Sequence, residues 1–243
     1  MPLPGRAGNR VAGMGAIYIV RHGQADPSAY GVGEAADSSV PIGSLTDTGV
    51  MQAKLSGALL SSLVAKVDAA FTGTLPRQQQ TLAAVLEQFP GAPAPVVEAG
   101  WDEYEIPDLT GAATVDDFRD GAAYQRLLDA RLGEWIDGTL TVPEGGTHET
   151  YAAYRERIRN AARAAAAEAG SGKTVLVASS AGTITALIAE LWQVPDSRWP
   201  VLARTMVNAS VTKLISGRSG LSVISFNEHA HLADLDGGVT TFR

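Results

Sequence analysis

Arg21, His22 and Gly23 are the residues in this sequence whose types and spacing best suit chemistry. They follow residues 16–20, a short apolar run rich in β-branched residues that is typical of a strand covered on both faces. Ligands of open α/β sheets bind beyond the carboxyl ends of the strands, so a site is expected here. The arginine can hold a phosphate or carboxylate by two hydrogen bonds, the histidine can react, and the glycine lets an anion approach the backbone. A tripeptide alone is equally compatible with a histidine that only packs and hydrogen-bonds.

A second arginine, Arg77, stands in the first turn of a predicted helix. The helix is predicted from about Pro76 to Phe89, because proline favours the first turn, and residues 69–71 before it suggest a short strand. The backbone amides of a helix N-terminus and a guanidinium can converge on an anion. Taken alone, a first-turn arginine is more often a solvated surface charge.

Together these two segments resemble the histidine phosphatase superfamily, the phosphoglycerate mutase-like enzymes. The resemblance covers most of the chain and keeps the family's motif order. Residues 45–53 resemble the opening of the family's first helix, and residues 74–81 resemble its second arginine motif. Residues 101–103 stand at the place of its catalytic glutamate. Glu149 and Thr150 resemble its Gly-Glu-Ser segment, with Arg157 following, and residues 175–182 resemble its last strand and catalytic turn.

The resemblance implies hydrolysis of a phosphate monoester through a phosphohistidine intermediate on His22. Arg21 and Arg77 would bind the phosphoryl oxygens, with Gly23 beside them. Glu103 would protonate the leaving alcohol and then activate water, which requires a raised pKa; Glu105 is the alternative acid. No metal and no other cofactor is expected, because the arginines would stabilise the charge.

The chain departs from the family's pattern at the last turn. The family usually has a second histidine where this chain has Ser180, followed by glycine where it has Ala181. That histidine normally contacts the phosphoryl group and adds positive charge, whereas a serine hydroxyl can only donate a neutral hydrogen bond. The loss is expected to cost on the order of tens- to hundreds-fold in rate. His148 is a candidate substitute, although a surface position is the stronger expectation for it, and Gln24 and Thr46 are candidate contacts at the rim of the site.

Three other functions remain alternatives. The chain could be a catalytically weakened family member that binds a phosphorylated ligand, or it could perform phosphoglycerate mutase-type phosphotransfer. A serine esterase is the third, because residues 178–182 resemble a nucleophile elbow. Ser180 would then be the nucleophile, with Asp196 and His229 or His231 in the expected chain order. That hypothesis leaves Arg21 and Arg77 without a role.

The composition sets the broad class of protein. The chain has 243 residues, 45% hydrophobic and 19% charged, which suits a globular protein with a sizeable core. It has no cysteine, so disulfides, thiolate metal sites and cysteine nucleophiles are excluded. A net charge of −7 argues against nucleic acid as a partner, and no apolar run is long enough to cross a membrane. We expect a cytoplasmic protein whose partner is a small phosphorylated substrate, with a homodimer left open.

The order of predicted strands and helices indicates a three-layer α/β/α fold with a mostly parallel central sheet. Residues 1–14 are predicted to be a flexible N-terminal leader and residues 15–243 a single domain, with a helical cap inserted at about 101–146. Thr46 is predicted to N-cap a helix of about twenty residues. The inward face of that helix is predicted to carry six residues, namely Met51, Leu55, Ala58, Leu59, Ser62 and Leu63. The clearest later elements are a helix from Glu149 to Ala169, a strand from Lys173 to Ala178 and a helix from Ala181 to Trp192, followed by two closing strands.

Overall fold

A computed structural model describes residues 13–30, 39, 41–105, 121–141, 148–233 and 238–242. Its centre is a six-stranded sheet with the spatial order β3-β2-β4-β1-β5-β6. The strands are β1 (Gly15–Arg21), β2 (Ala69–Thr72), β3 (Val96–Val97), β4 (Thr174–Ser179), β5 (Val211–Gly217) and β6 (Gly220–Glu228). Strands β3, β2, β4 and β1 are parallel, whereas β5 runs antiparallel to both β1 and β6.

The sheet carries helices on both faces, because successive side chains of the central strands point to opposite sides. In β1, Ile17 and Ile19 pack into one buried apolar cluster, whereas Tyr18 and Val20 pack into another. The helices of the described residues are α1 (Asp47–Leu63), α2 (Pro76–Leu86), α3 (Gly121–Ile136), α4 (Tyr151–Glu168), α5 (Ala181–Leu191) and α6 (Trp199–Ala203). Helices α1 and α2 contribute to the second cluster, and α3 to α6 contribute to the first. The prediction of a three-layer α/β fold with a mostly parallel central sheet is confirmed.

The predicted inward face of α1 is wrong. Met51 and Leu63 are 48% and 55% exposed, and none of the six residues predicted to face inward is buried. The buried residues of the helix are mostly small or polar: Gly49, Gln52, Ala53, Ser56, Gly57 and Leu60. The reason is close backbone approach, since a Cβ atom added at Gly49 would lie 2.0 Å from the carbonyl oxygen of Gln24. Hydrophobic periodicity does not detect a helix face that packs through small residues.

Thr46 caps α1 as the sequence predicts, because its side-chain oxygen accepts a hydrogen bond from the amide of Gly49.

The helical insertion predicted at 101–146 is described in part. The structure describes residues 101–105, which end a 3-10 turn and continue as a loop, and α3 with the turn that follows it. Residues 106–120 and 142–147 lie outside the described residues. Most of the predicted leader also lies outside them. In the part of the chain that is described, no helix combines the length and apolar character needed to cross a membrane.

Candidate active site

The site is built where the carboxyl ends of β1 and β4 meet. Arg21 and Ser179 are register partners at these ends, so the residues that follow each strand emerge side by side. The amide of His22 donates a 2.8 Å hydrogen bond to the carbonyl of Ser179. The two segments that the sequence singles out, one after each strand, therefore share one edge of the sheet.

His22 is only 2% exposed and is held in one orientation. Its Nδ1 lies 2.7 Å from the carbonyl oxygen of Gly23. A carbonyl can only accept, so Nδ1 carries the proton and Nε2 presents a lone pair. Burial, followed by the nearby charges of Arg77 and Arg21, holds the pKa of His22 well below its usual value. At neutral pH this imidazole is uncharged, which is the state that a nucleophile requires.

Two buried arginines lie beside this imidazole. Arg21 donates from Nη1 to the carbonyl of Met206 and to that of Phe242, the latter at 3.1 Å. Arg77 stands in the first turn of α2, which is tied to the loop after β1 through Thr81. The Thr81 hydroxyl donates to the carbonyl of Arg77 at 2.7 Å and accepts from the amide of Gly23 at 3.0 Å. These contacts fix α2 against the histidine.

The carboxyl group of Glu103 lies against the first turn of α5. Its Oε2 accepts from the amide of Gly182 at 2.8 Å, and its Oε1 accepts from the hydroxyl of Tyr154 and the amide of Tyr104, both at 3.2 Å. Burial raises the pKa of Glu103 above its ordinary value, while these donors and the charge of Arg77 act in the opposite direction. The charge of Arg77 lowers the pKa of both His22 and Glu103, so its guanidinium acts on both groups.

The loop that carries Glu103 is anchored on both sides. Asp102 accepts from the amide and the hydroxyl of Thr74, both at 2.6 Å. Arg157 of α4 donates to the carbonyl of Asp102 at 2.7 Å and to that of Glu103 at 3.3 Å. The same guanidinium is paired with Glu149 through two hydrogen bonds of 2.7 and 3.0 Å. Glu149 and Arg157, which the sequence groups with the site, thus support the glutamate loop.

Ser180 is fully buried at the start of α5, and its hydroxyl oxygen accepts a 2.8 Å hydrogen bond from Nε2 of Gln78. The same nitrogen donates to the carbonyl of Trp101 at 2.9 Å. Gln78 is a residue that sequence reasoning missed. It stands in a run of three glutamines directly after Arg77, and a polar run of this kind is usually expected to face solvent.

A cavity of about 540 Å³ opens at this edge of the sheet. Its wall at the site includes Arg21, Glu103, Ala181 and Gly182, whereas His22, Arg77 and Ser180 are not among the residues that line it. Gln24 and Thr46 line the cavity as well. The Thr46 hydroxyl donates to the side-chain oxygen of Gln24 at 2.9 Å, which fixes both side chains.

Other candidate residues lie away from this cluster. Glu105 is exposed, and His148 is half-buried beside Glu149 without lining the cavity. The residues that a serine-esterase triad would need beside Ser180 contact other groups instead. Asp196 pairs with Arg155, His231 lies 3.0 Å from the Ser56 hydroxyl, and His229 contacts the carbonyl of Asn227. In the described residues, the contacts of these three side chains therefore give no support to a triad with Ser180.

The site thus combines a buried, uncharged histidine with two buried arginines at the carboxyl edge of an α/β sheet, an arrangement with the chemistry to bind an anion. A model of the histidine phosphatase superfamily (branch 1) matches residues 17–229. The chain belongs to this superfamily. A search of curated proteins finds no match.

Solved structures show the same fold at low sequence identity. The Bacillus stearothermophilus protein YhfR has a TM-score of 0.65 at 19% identity, with 89% of this chain and 98% of that chain covered. A phosphoserine phosphatase mutant from Entamoeba histolytica, in complex with phosphoserine, has a TM-score of 0.62 at 18% identity, with 89% and 98% covered. The mycobacterial glucosyl-3-phosphoglycerate phosphatase Rv2419c has a TM-score of 0.61 at 22% identity, with 88% and 99% covered.

Proposed function

We propose that this protein hydrolyses a phosphate monoester through a phosphohistidine intermediate on His22. The observation that carries the proposal is the state of His22, a neutral imidazole with its Nδ1 proton held by the Gly23 carbonyl and two arginines beside it. Nε2 attacks phosphorus and the bond from phosphorus to the ester oxygen breaks. The phosphoryl group enters from the cavity, past Arg21 and Gly182.

Glu103 supplies and then removes the proton. In the first step the protonated carboxyl donates to the departing alkoxide, so the product leaves as an alcohol. In the second step the carboxylate accepts a proton from water, whose oxygen attacks phosphorus as the bond from phosphorus to nitrogen breaks. The products are inorganic phosphate and free imidazole. A carboxyl group whose pKa is raised by burial suits both steps, because it keeps its proton to a higher pH than an ordinary carboxyl group does.

Arg21 and Arg77 provide the positive charge that the transferring phosphoryl group needs. Each guanidinium is buried, where its interaction with a phosphoryl oxygen is less screened than in water. The Ser180 hydroxyl adds a neutral hydrogen bond. Family membership supports phosphatase activity, and the phosphoserine and glucosyl-3-phosphoglycerate phosphatases among the structural neighbours agree with it.

The test is hydrolysis of para-nitrophenyl phosphate together with trapping of the phosphoenzyme after an acid-free quench. We expect His22→Ala to lose activity by at least about a thousandfold and to form no phosphoenzyme. His148→Ala is the matched control, because His148 is a half-buried histidine that follows neither β1 nor β4, the strands at whose ends the site is built. Activity that survives in His22→Ala, or an intermediate that forms without His22, contradicts the proposal.

The absence of charge on Ser180 favours one second candidate, a protein that binds a phosphorylated ligand with little turnover. The same experiment separates the two. The binding function is supported instead if the wild-type protein forms no phosphoenzyme with any ester but binds inorganic phosphate. That binding should survive the loss of the His22 side chain and require Arg77.

A further inference from the structure

We propose that the cavity selects phosphate monoesters of uncharged, apolar alcohols, either aliphatic or aromatic, and discriminates against substrates that carry a second acidic group. The inference rests on the proposed function, since it names the part of the substrate that the phosphatase site leaves open. Two observations support it: apolar side chains form much of the cavity wall, and Arg204 in that wall is paired with Asp129.

One wall is the apolar face of α3. Tyr124, Leu128 and Leu132 follow one another at four-residue intervals, so they lie on one side of the helix and line the cavity. Each is at most 6% exposed. The volume of about 540 Å³ is in the usual range of pockets that enclose a small molecule.

Another part of the cavity wall is a fixed aromatic ring. Tyr104 follows the glutamate Glu103 directly and lines the same cavity. Its ring centroid lies 5.6 Å from that of Trp135 and 5.9 Å from those of Tyr154 and Trp199. These three contacts hold the ring in place, so the cavity offers a preformed apolar surface next to the leaving-group side of the reaction.

Of the two basic residues among the described lining residues, the one outside the proposed phosphoryl site is already paired with an acidic side chain. Among the described lining residues the basic groups are Arg21, which lies beside His22, and Arg204. The Arg204 guanidinium is paired with Asp129 at 2.5 Å, and Asp129 also accepts from the Gln125 amide at 2.8 Å. A carboxylate or second phosphate held beside the buried side chains of Leu128 and Leu132 would therefore lose water without gaining a cationic partner, because Asp129 already occupies Arg204. An alkyl or aryl group meets no such cost.

The experiment compares esters that differ only in the alcohol. We expect kcat/KM to rise by about three- to fourfold for each buried methylene from methyl to butyl phosphate. We expect hexyl phosphate to exceed, by at least about tenfold, the analogue whose terminal methyl group is replaced by a carboxylate. Equal values for these two esters, or a preference for the carboxylated ester, would overturn the proposal.

A charge variant tests the role of the ion pair. Asp129→Asn leaves Arg204 without its carboxylate partner, so the ratio of kcat/KM for the carboxylated ester to kcat/KM for hexyl phosphate should rise several-fold. Asp137→Asn is the matched control, because Asp137 is an exposed residue just after the same helix. An equal gain in both variants would show that net charge alone is responsible and would contradict the pairing argument.

Binding of phosphonates separates this inference from the proposed function. If no ester is hydrolysed, the phosphatase proposal fails. Calorimetry with hexylphosphonate and its carboxylated analogue then still decides the ligand class. Tighter binding of hexylphosphonate supports the apolar cavity, whereas equal binding, or binding of neither compound, overturns it.

Discussion

The side-chain amide of Gln78 donates a 2.8 Å hydrogen bond to the hydroxyl oxygen of Ser180, and both residues are fully buried. The Trp101 carbonyl fixes the direction of this bond. It lies 2.9 Å from the same end of the Gln78 side chain and can only accept, so that end must be the amide nitrogen, which donates to both oxygens. Ser180 is thus the acceptor in its contact with Gln78, and its own proton can be directed to a phosphoryl oxygen. Gln78 fills space beside the position at which the family usually has a second histidine.

We predict from this contact that Ser180→His alone does not improve the enzyme. An imidazole at position 180 would meet the Gln78 amide, so we expect activity to fall by about tenfold and the midpoint of thermal unfolding to drop. The double variant Gln78→Ala/Ser180→His makes room for the ring. It should exceed wild type by about tenfold or more in kcat/KM for para-nitrophenyl phosphate, because a charged donor replaces a neutral one.

Gln78→Ala alone is the control for this pair. The Trp101 carbonyl keeps a partner in that variant, because the Ser179 hydroxyl also donates to it at 2.7 Å. If Ser180→His alone is faster than wild type and equally stable, steric coupling between the two positions is refuted.

The second prediction concerns Glu103 as the proton donor. Glu103→Gln should lower kcat/KM by about a hundredfold or more for an alkyl phosphate, because a poor leaving group depends on the acid. The loss should be much smaller for para-nitrophenyl phosphate, whose phenolate leaves readily. Glu105→Gln, at the exposed neighbouring carboxylate, should change neither value. Equal losses for the two esters would remove Glu103 from the proton-transfer step.

The third prediction is the pH profile of kcat/KM. The lowered pKa of His22 means that the nucleophile is unprotonated down to pH values well below its ordinary pKa of about 6.5. The raised pKa of Glu103 means that the acid stays protonated above its ordinary value. The profile should therefore be bell-shaped with an acidic optimum, and its alkaline limb should disappear in Glu103→Gln. An alkaline limb that persists in that variant would assign it to another group.

The fourth prediction links His22 to stability. Its pKa is lowered in the folded state, so the unfolded chain takes up the proton first as the pH falls below about 6.5. The free energy of unfolding should decrease below that pH, until the folded-state pKa is reached, by up to about 1.4 kcal/mol per pH unit from this group. Urea unfolding of His22→Asn should show a correspondingly weaker acid dependence. The lowered pKa of His231 acts in the same direction, but it is present in both proteins and cancels. Identical slopes for the two proteins would contradict the burial cost assigned to His22.

Local patterns in the sequence identified the elements that position the site, and they failed where distant residues decide the packing. The apolar run before Arg21 and the cap at Thr46 are local signals, and the structure places both as expected. The inward face of α1 is not a local signal, because Gly49 packs against the backbone of Gln24, 25 residues earlier in the chain. The Gln78–Ser180 contact joins residues 102 positions apart, and a glutamine carries no sequence signal that it is buried. The same holds for Arg21, whose carbonyl partners come from the last part of the chain.

The last prediction assigns Arg157 as a positioning residue. Its guanidinium donates to the carbonyls of Asp102 and Glu103 and is fixed by Glu149, so it sets the place of the Glu103 carboxyl without contacting the substrate. Arg157→Lys keeps the charge but cannot make these contacts together. We expect kcat for an alkyl phosphate to fall by about tenfold, with little change in KM and a shifted alkaline limb of the pH profile. Arg163→Lys, at an exposed arginine of the same helix, is the control. A purely structural role for Arg157 would lower the unfolding temperature and leave the pH profile unchanged.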